Sequence, residues 1–288
     1  MLGPLVVTAS AFEAEKYDAR EFWQAAEGVF VADDSKRIFA SSRMKSAEAA
    51  TLAWLKAFGI TARTYATLVD EVVVSPPFPR PCPIIPAYCA PSGTSLPAFS
   101  KTGEADSCGR EQLTELGITP LVARAHILCP GILNDATANG ELNKFALDCR
   151  LMLSLIKTIG ATYDGEILAL CGKVGSTKKY GPWLKASGIG LWTAEEESPD
   201  VSTYRIVPYG RISFIKDGDA SHLPIAVASM VGKYLRELAM RDVNTLFVDQ
   251  DLRPASGYRD KVTARFIEQT EKARRRIGIK SNCFLRNS

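Results

Sequence analysis

Several residue patterns that would define a protein class are missing from this sequence. It contains only two histidines, His126 and His222, and its seven cysteines include no C-x-x-C pair. A structural zinc site is therefore not expected. An odd number of scattered cysteines also fits free thiols better than a disulfide framework. Free thiols predict a reducing, cytoplasmic location.

Targeting signals and long apolar runs are missing as well. Residues 1–12 are mostly apolar, but they have no basic segment, and the acidic residues Glu13 and Glu15 follow at once. This order does not fit a secretory signal peptide. No apolar run reaches the roughly 20 residues that a membrane-spanning helix needs. The sequence has no internal repeat and no Walker A spacing. We therefore expect no membrane partner.

Positive charge is concentrated towards the C-terminal end. The 288-residue chain has a formal net charge of +3. Residues 253–288 carry ten Lys and Arg side chains against three acidic ones, an excess of +7, so the other residues carry −4. A basic helical region suits a phosphate backbone. It also suits a solvated helix end whose cations are favoured by the helix dipole, and the sequence leaves both readings open.

Hydrophobic periodicity and turn residues predict one domain of class α/β that spans residues 1–288. Strands are predicted at 5–11, 61–74, 166–171, 203–207 and 211–215, the last two as a hairpin. Helices are predicted at 46–58, with Ser46 as N-cap, and at 143–159, 224–240 and 261–276. The proline-rich residues 75–102 are expected to form an excursion without helix or inner strand.

Two groups of polar residues suit phosphate chemistry. Asp217 and Asp219 lie between the predicted hairpin and the next helix, where a magnesium ligand is often found, although the same residues can simply form a turn. Residues 171–182 combine glycines with Lys173, Lys178 and Lys179 in a loop that follows a predicted strand. Backbone N–H groups and lysines there would suit a phosphate, and a solvated loop is the alternative.

Two further segments have weaker signals. Lys36 follows Asp34 and Ser35 in a D-S-K sequence, which suggests either a phosphate contact or a surface turn. Tyr258, in the sequence S-G-Y, could stack on a sugar or base. A tyrosine that anchors its own loop is the competing interpretation. Taken singly, these segments do not identify a function.

The order of the motifs along the chain is more specific. The sequence G-P-L-V-V-T-A-S-A begins at Gly3, A-D-D-S-K ends at Lys36, N-K lies at 143–144, D-A-S-H-L-P-I-A-V-A-S-M-V-G-K begins at Asp219, and S-G-Y ends at Tyr258. This series resembles the type 2 ribonucleases H (ribonuclease HII and HIII), as a divergent bacterial branch, over nearly the whole chain. The proline-rich stretch has no counterpart in that family.

The resemblance implies a mixed central sheet flanked by helices and a monomeric endonuclease. Such an enzyme cuts the RNA strand of RNA–DNA hybrids, or DNA containing ribonucleotides, with two Mg²⁺ or Mn²⁺ ions. It implies that Asp219 is a catalytic, metal-binding aspartate. It also implies that substrate is bound by Ser35, Lys36, Ser229, Lys233 and Tyr258. The lysine-rich loop adds Lys178 and Lys179 to the predicted substrate-binding residues.

Two departures from the family pattern change what we expect of the sheet and of the nuclease activity. The family opens with a strand carrying Asp-Glu-Ala-Gly just before the GPLVV match, and this sequence begins after that point, as an N-terminally truncated chain would. Cys171 or Lys173 stands where a second metal aspartate is expected. We therefore predict a gap, a split sheet or another segment filling the slot between residues 5–11 and 166–171, and impaired or absent nuclease activity. The second hypothesis for the function is a non-catalytic nucleic-acid-binding relative, and the third hypothesis is a plain structural or interaction protein.

Overall fold

The computed structural model describes residues 1–82, 86–100, 109–138, 140, 142–250 and 252–287. The strands are β1 (Leu5–Glu13), β2 (Thr119–Leu128), β3 (Ile167–Gly172), β4 (Leu191–Glu197), β5 (Val201–Val207) and β6 (Gly210–Ile215). The helices are α1 (Ala19–Glu27), α2 (Ser35–Ile38), α3 (Met44–Ala57), α4 (Tyr65–Val72), α5 (Gly109–Glu115), α6 (Pro130–Ala138), α7 (Lys144–Gly160), α8 (Gly181–Ser187), α9 (Leu223–Thr245), α10 (Lys261–Gln269), α11 (Glu271–Arg276) and α12 (Ser281–Phe284).

The described strands form two separate sheets. β1 and β2 pair antiparallel, with Leu5 opposite Leu128 and a bulge between Ala11 and Phe12. The other sheet has the order β3-β6-β5-β4, in which β3 and β6 are parallel and the other pairs antiparallel. The α/β class is therefore confirmed, and β1 and β3 belong to separate sheets, which is one of the three predicted arrangements.

Most of the predicted elements near the later motifs are confirmed. The hairpin of β5 and β6 turns at Pro208-Tyr209, and β1 is two residues longer than predicted. Asn143 caps α7, because its Oδ1 accepts a hydrogen bond from the Ala146 amide at 2.9 Å. α9 begins next to Pro224, where the fixed φ of proline suits the first helical turn. It continues five residues beyond the predicted end.

The strand predicted at residues 61–74 is wrong, because most of this segment is helix α4. Thr64 and Thr67 form a capping box in which each side chain hydrogen-bonds the other residue's backbone N–H. Tyr65, Leu68 and Val72 then recur at helical spacing and are buried. The β-branched residues favour a strand locally, but the cap and the burial of one helical face outweigh that preference.

Three smaller predictions also need correction. Ser46 is not an N-cap but lies inside α3, where its Oγ donates to the Arg43 carbonyl oxygen at 2.9 Å. The predicted helix at 261–276 is divided at Thr270 into α10 and α11. β3 is not a buried strand, since only Cys171 in it is buried and Leu168 is 41% exposed. Among the described residues, β3 pairs with β6 on one edge, and no strand covers its other edge.

The proline-rich segment is held on the surface by two carboxylates. In its described parts, 75–82 and 86–100, the longest regular element is a single 3₁₀ turn, Ala87–Cys89, which agrees with the prediction. The fully buried Glu48 of α3 accepts hydrogen bonds from the Phe99 amide at 2.8 Å and the Tyr234 hydroxyl at 2.9 Å. Asp242 of α9 accepts from Ser92 Oγ at 2.6 Å. Residues 83–85 and 101–102 lie outside the described residues.

Helices α7 and α9 cover opposite faces of β1. Val7 packs with Leu147 and Leu151 of α7. On the other face, Thr8 and Ser10 donate hydrogen bonds to carbonyl oxygens of α9. This arrangement fixes the position of α9, and α9 contains several residues of the candidate site.

Candidate nucleic-acid interface

Close packing against β1 fixes the position of α9. The Thr8 hydroxyl donates to the Ala228 carbonyl oxygen at 2.5 Å, and the Ser10 hydroxyl donates to the Pro224 carbonyl oxygen at 2.8 Å. A Cβ atom at Gly232 would stand 2.8 Å from Thr8 Oγ1, so a larger residue there would push α9 away from the strand. The small residues of this motif therefore set the helix position.

The D-S-K segment meets α9 through two hydroxyl groups. Asp34 caps the short helix α2, and its Oδ1 accepts from the Lys36 amide at 2.8 Å. Ser229 Oγ donates to Ser35 Oγ at 2.9 Å, and Ser35 is buried. Lys36 is exposed. Three of the predicted substrate-binding residues therefore lie together, with the ammonium group of Lys36 in solvent.

One turn further along α9, Lys233 meets Tyr258. Lys233 Nζ donates to the Tyr258 hydroxyl at 2.6 Å, and Arg236 lies over the tyrosine ring at 4.0 Å from its centroid. Tyr258 is 46% exposed. Ser229 and Lys233 are four residues apart and so lie on one face of the helix. A half-exposed aromatic ring in contact with two cations thus lies about one helical turn along α9 from the Ser35–Ser229 contact.

The backbone of the S-G-Y loop requires its glycine. Gly257 has φ of +79°, and a Cβ atom there would stand 2.8 Å from Arg236 Nη2, the Leu2 carbonyl oxygen and Met240 Sδ. Arg236 Nη2 also donates to the Ser256 carbonyl oxygen at 2.9 Å. The loop, its arginine and α9 are therefore one packed unit, and this unit sets the position of the Tyr258 ring.

A further arginine adds positive charge to this unit. Arg286 donates from Nε to the Gly3 carbonyl oxygen at 2.7 Å and from Nη2 to the Pro4 carbonyl oxygen. Burial, and then the charge of Arg236, lowers the pKa of Arg286 to about 10, so it stays protonated at neutral pH. We call Lys233, Arg236, Tyr258 and Arg286 the Tyr258 cluster.

Two carboxylates partly offset the Tyr258 cluster. Glu237 accepts ion pairs from Lys233 at 2.8 Å and from Arg236 at 3.0 Å. Asp148 of α7 interacts with Arg286, and one of its oxygens, Oδ1, is buried without a hydrogen-bond partner. Burial raises the pKa of Asp148 to about 6, against the smaller opposing effects of Lys144 and Arg286. The cluster keeps a positive excess of one charge when Asp148 is ionised.

Asp219 lies near α9 but apart from the Tyr258 cluster. It is half-buried in the 3₁₀ turn Gly218–Ala220, between β6 and α9. Lys233 is ten residues into α9, about 15 Å along the helix axis from its first residue. Asp217, the preceding acid, is exposed and has the left-handed φ of +50° that a tight turn requires. The structure assigns Asp217 to the turn itself.

The donor groups around Asp219 do not fit two hard metal ions. Within the described part of the chain, no three Asp, Glu, His or Cys residues come together in a way that could hold an ion. Burial raises the pKa of the Cys171 thiol to about 12, and a protonated thiol is a poor ligand for Mg²⁺ or Mn²⁺. Lys173 Nζ donates to the Ser198 carbonyl oxygen at 2.8 Å.

The lysine-rich loop after β3 belongs to the other sheet. Lys178 and Lys179 are exposed, and Ser202 Oγ of β5 donates to the Lys178 carbonyl oxygen at 2.6 Å. The Tyr180 hydroxyl accepts from the Val174 amide at 3.1 Å, which closes the loop. The two lysines are therefore available to an anion, but in the described part of the chain no hydrogen bond or ion pair joins them to the Tyr258 cluster.

The split between the sheets forms a cleft of about 800 Å³. We call it the inter-sheet cleft. Its walls are the edges of β1 and β3, together with α7 and α9, and Ser229 is one of its lining residues. The cleft therefore adjoins the face of α9 that holds the D-S-K segment.

Sequence reasoning missed Arg236, Arg286 and Asp148. Arg236 lies three residues after Lys233, on the same helical face, and this spacing is a signal that the sequence does contain. No local signal marks Arg286 or Asp148, because they meet through tertiary packing alone.

Comparison with family models, with curated proteins and with solved structures finds no match. Among the described helices, none combines the length and apolar character needed to cross a membrane.

Proposed function

We propose that this chain is a nucleic-acid-binding protein of the ribonuclease H type. It holds the sugar–phosphate backbone of an RNA–DNA hybrid, or of DNA containing ribonucleotides, against α9. The observation that carries the proposal is the Tyr258 ring, half exposed, with Arg236 over it at 4.0 Å and Lys233 at 2.6 Å from its hydroxyl.

The chemistry of this arrangement suits a nucleic acid. An exposed aromatic ring stacks on a sugar or base, and neighbouring cations contact phosphates. Because Arg236 and the Ser256 carbonyl oxygen hold the loop at 2.9 Å, the ring is already ordered before binding. Lys36, on the adjacent α2, supplies an exposed cation near the Ser35–Ser229 contact, whereas the side chains of Lys233 and Arg236 are only 16% and 12% exposed. Pre-ordered contacts lose less conformational entropy on binding.

Metal-dependent hydrolysis stays a prediction of the resemblance. Asp219 is the residue it depends on, with Mg²⁺ or Mn²⁺ as the cofactor. Asp219→Asn keeps the side-chain shape and removes the charge. If calorimetry finds the same Mg²⁺ and Mn²⁺ binding in both proteins, Asp219 is not a ligand.

Hybrid binding tests the main proposal. Fluorescence anisotropy with a labelled RNA–DNA hybrid is measured over a range of salt concentrations. Tyr258→Ala should weaken binding by about 1–3 kcal/mol through lost stacking. Lys233→Ala should reduce the slope of log K against log salt by about one unit.

A matched control is Lys185→Ala, which removes an exposed lysine from α8. Its slope should equal that of the unmodified protein. Equal affinities for the Tyr258→Ala variant and the unmodified protein would refute the proposed interface. A binding loss of the same size in the Lys185→Ala variant would show that the charge effect is not specific to this surface.

A further inference from the structure

Four of the six cysteines in the described residues come together at the protein surface. One is exposed, the other three are half-buried, and none of them forms a disulfide. They belong to separate parts of the chain, because two lie in the proline-rich segment, one directly precedes α6 and one lies in α12. We call them the four-cysteine group: Cys82, Cys89, Cys129 and Cys283.

Gly131 leaves an open space between two of these thiols. A Cβ atom there would stand 3.4 Å from Cys283 Sγ and 3.7 Å from Cys129 Sγ. It would also stand 3.1 Å from Cγ of Pro81, the residue before Cys82. Any larger residue at this position of α6 would therefore enter the space that the three segments surround.

Two further contacts hold the remaining segments at the same place. Tyr88, directly before Cys89, packs against the hydrophobic cluster that contains Phe284 of α12. Asn134 Nδ2 of α6 donates to the Asn282 carbonyl oxygen of α12 at 2.9 Å. The fold therefore gathers the four cysteines, although they are spread over residues 82–283 of the sequence.

The four thiols also interact electrostatically. Partial loss of water is the main cause that raises the pKa of Cys89 and of Cys283, and the other thiols of the group raise both further. Thiolates at this place would repel one another, and a bound cation would relieve that repulsion. Arg80 beside Cys89 and Lys280 beside Cys283 favour negative charge here, while Asp135 opposes it.

The arrangement of the thiols does not suit a single metal ion. Among the described side chains, no three of His, Cys, Asp or Glu are placed to hold one. An iron–sulfur cluster with four irons is larger than an ion, and each of its irons bonds to a different cysteine. Its cysteine sulfurs therefore lie further apart than the ligands of one zinc ion. Four thiols are also the complete set of protein ligands that such a cluster takes.

From these features we propose that the four-cysteine group binds a cluster of four irons and four sulfides. Each thiol forms one bond to iron and releases its proton to water. The oxidised core carries two positive charges, so the four thiolates leave two negative charges beside Arg80 and Lys280. The cluster fastens the proline-rich segment to α6 and α12. This inference does not depend on nucleic-acid binding.

Anaerobic reconstitution tests the proposal directly. The full chain is incubated with sulfide and equal amounts of ferrous and ferric iron, which together supply the charge of the core, and unbound iron is removed by gel filtration. About four irons and four sulfides should remain per chain. They should give a broad visible absorption that fades on reduction by dithionite, with an electron paramagnetic resonance signal from the reduced cluster. If no iron is retained, or if the chain is purified with one zinc ion that iron and sulfide do not replace, the proposal is wrong.

Cysteine variants separate a bound cluster from loosely attached iron sulfide. The double variant Cys82→Ser, Cys89→Ser changes two side chains that are not buried, so the fold should be kept, which circular dichroism checks. Bound iron should fall by about tenfold or more, because two of the four ligands are lost. The control Cys149→Ala removes a buried thiol beneath the other sheet and should retain the cluster. Equal iron contents in the double variant and the unmodified chain would refute these ligands.

Discussion

Asp148 provides a quantitative test of the charge arrangement beneath the Tyr258 cluster. Burial raises the pKa of this carboxyl to about 6 from its ordinary value of 3.8. The folded protein therefore holds the proton more tightly than the unfolded chain does. As the pH rises from about 4 to above 6, folding becomes less favourable by up to the difference of about two pKa units. At 1.36 kcal/mol per unit, this corresponds to about 3 kcal/mol.

The substitution Asp148→Asn removes the titration and nearly keeps the shape. Below about pH 4 both side chains are neutral and both leave a polar atom unpartnered at this position, so the unfolding free energies of the two proteins should be similar. Above about pH 7 only aspartate carries the buried charge. The variant should then gain up to about 3 kcal/mol relative to the unmodified protein. Its binding of an RNA–DNA hybrid should also become tighter, because a negative charge near Arg286 is lost.

Urea unfolding at pH 4 and pH 8 measures both differences. Asp70→Asn, which changes an exposed carboxylate on α4, is the control and should show a nearly constant difference. Contributions of other titrating groups are present in both proteins and cancel. If the difference between Asp148→Asn and the unmodified protein is the same at the two pH values, Asp148 is not a buried charge and the reasoning fails.

Three other predictions follow from side chains outside the cluster. Glu48→Ala should lower the free energy of unfolding by at least 3 kcal/mol, because it leaves the hydrogen-bond donors of Phe99 and Tyr234 without their buried partner. Denaturant titrations measure this loss, and a value below 1 kcal/mol would contradict these hydrogen bonds. Asp217→Gly should raise that free energy by about 1 kcal/mol, because glycine adopts the φ of +50° without strain, and a lower melting temperature would argue against it. Cys89 is exposed, but partial desolvation of its thiol, and then the nearby thiols, raise its pKa to about 11 from 9.0. Alkylation at pH 8, followed by mass spectrometry, should be about a hundredfold slower in the folded than in the unfolded chain, and equal rates would refute the shift.

Local signals in the sequence were sufficient for several elements and motifs. Asn143 and Pro224 mark the starts of α7 and α9 because each acts within one helical turn. The turn at Pro208-Tyr209-Gly210 likewise defines the β5–β6 hairpin from adjacent residues. Local signals fail at residues 61–74. The β-branched run there predicts a strand, but the burial of Tyr65, Leu68 and Val72 at helical spacing stabilises a helix. The burial depends on neighbours that are distant in the sequence.

The candidate site likewise has features that local sequence signals predict and contacts that only tertiary packing creates. The sequence by itself determined that positive charge is concentrated in residues 253–288. It predicted, through a resemblance, that Ser35, Ser229, Lys233 and Tyr258 bind substrate. Only the tertiary structure decided that Ser35 contacts Ser229 and that Tyr258 contacts Lys233, while Lys178 and Lys179 lie on the other sheet. It also decided that β1 and β3 face each other across a cleft. These contacts join residues up to 194 positions apart, and such pairs are set by the packing of α9 against β1 rather than by any local preference of the chain.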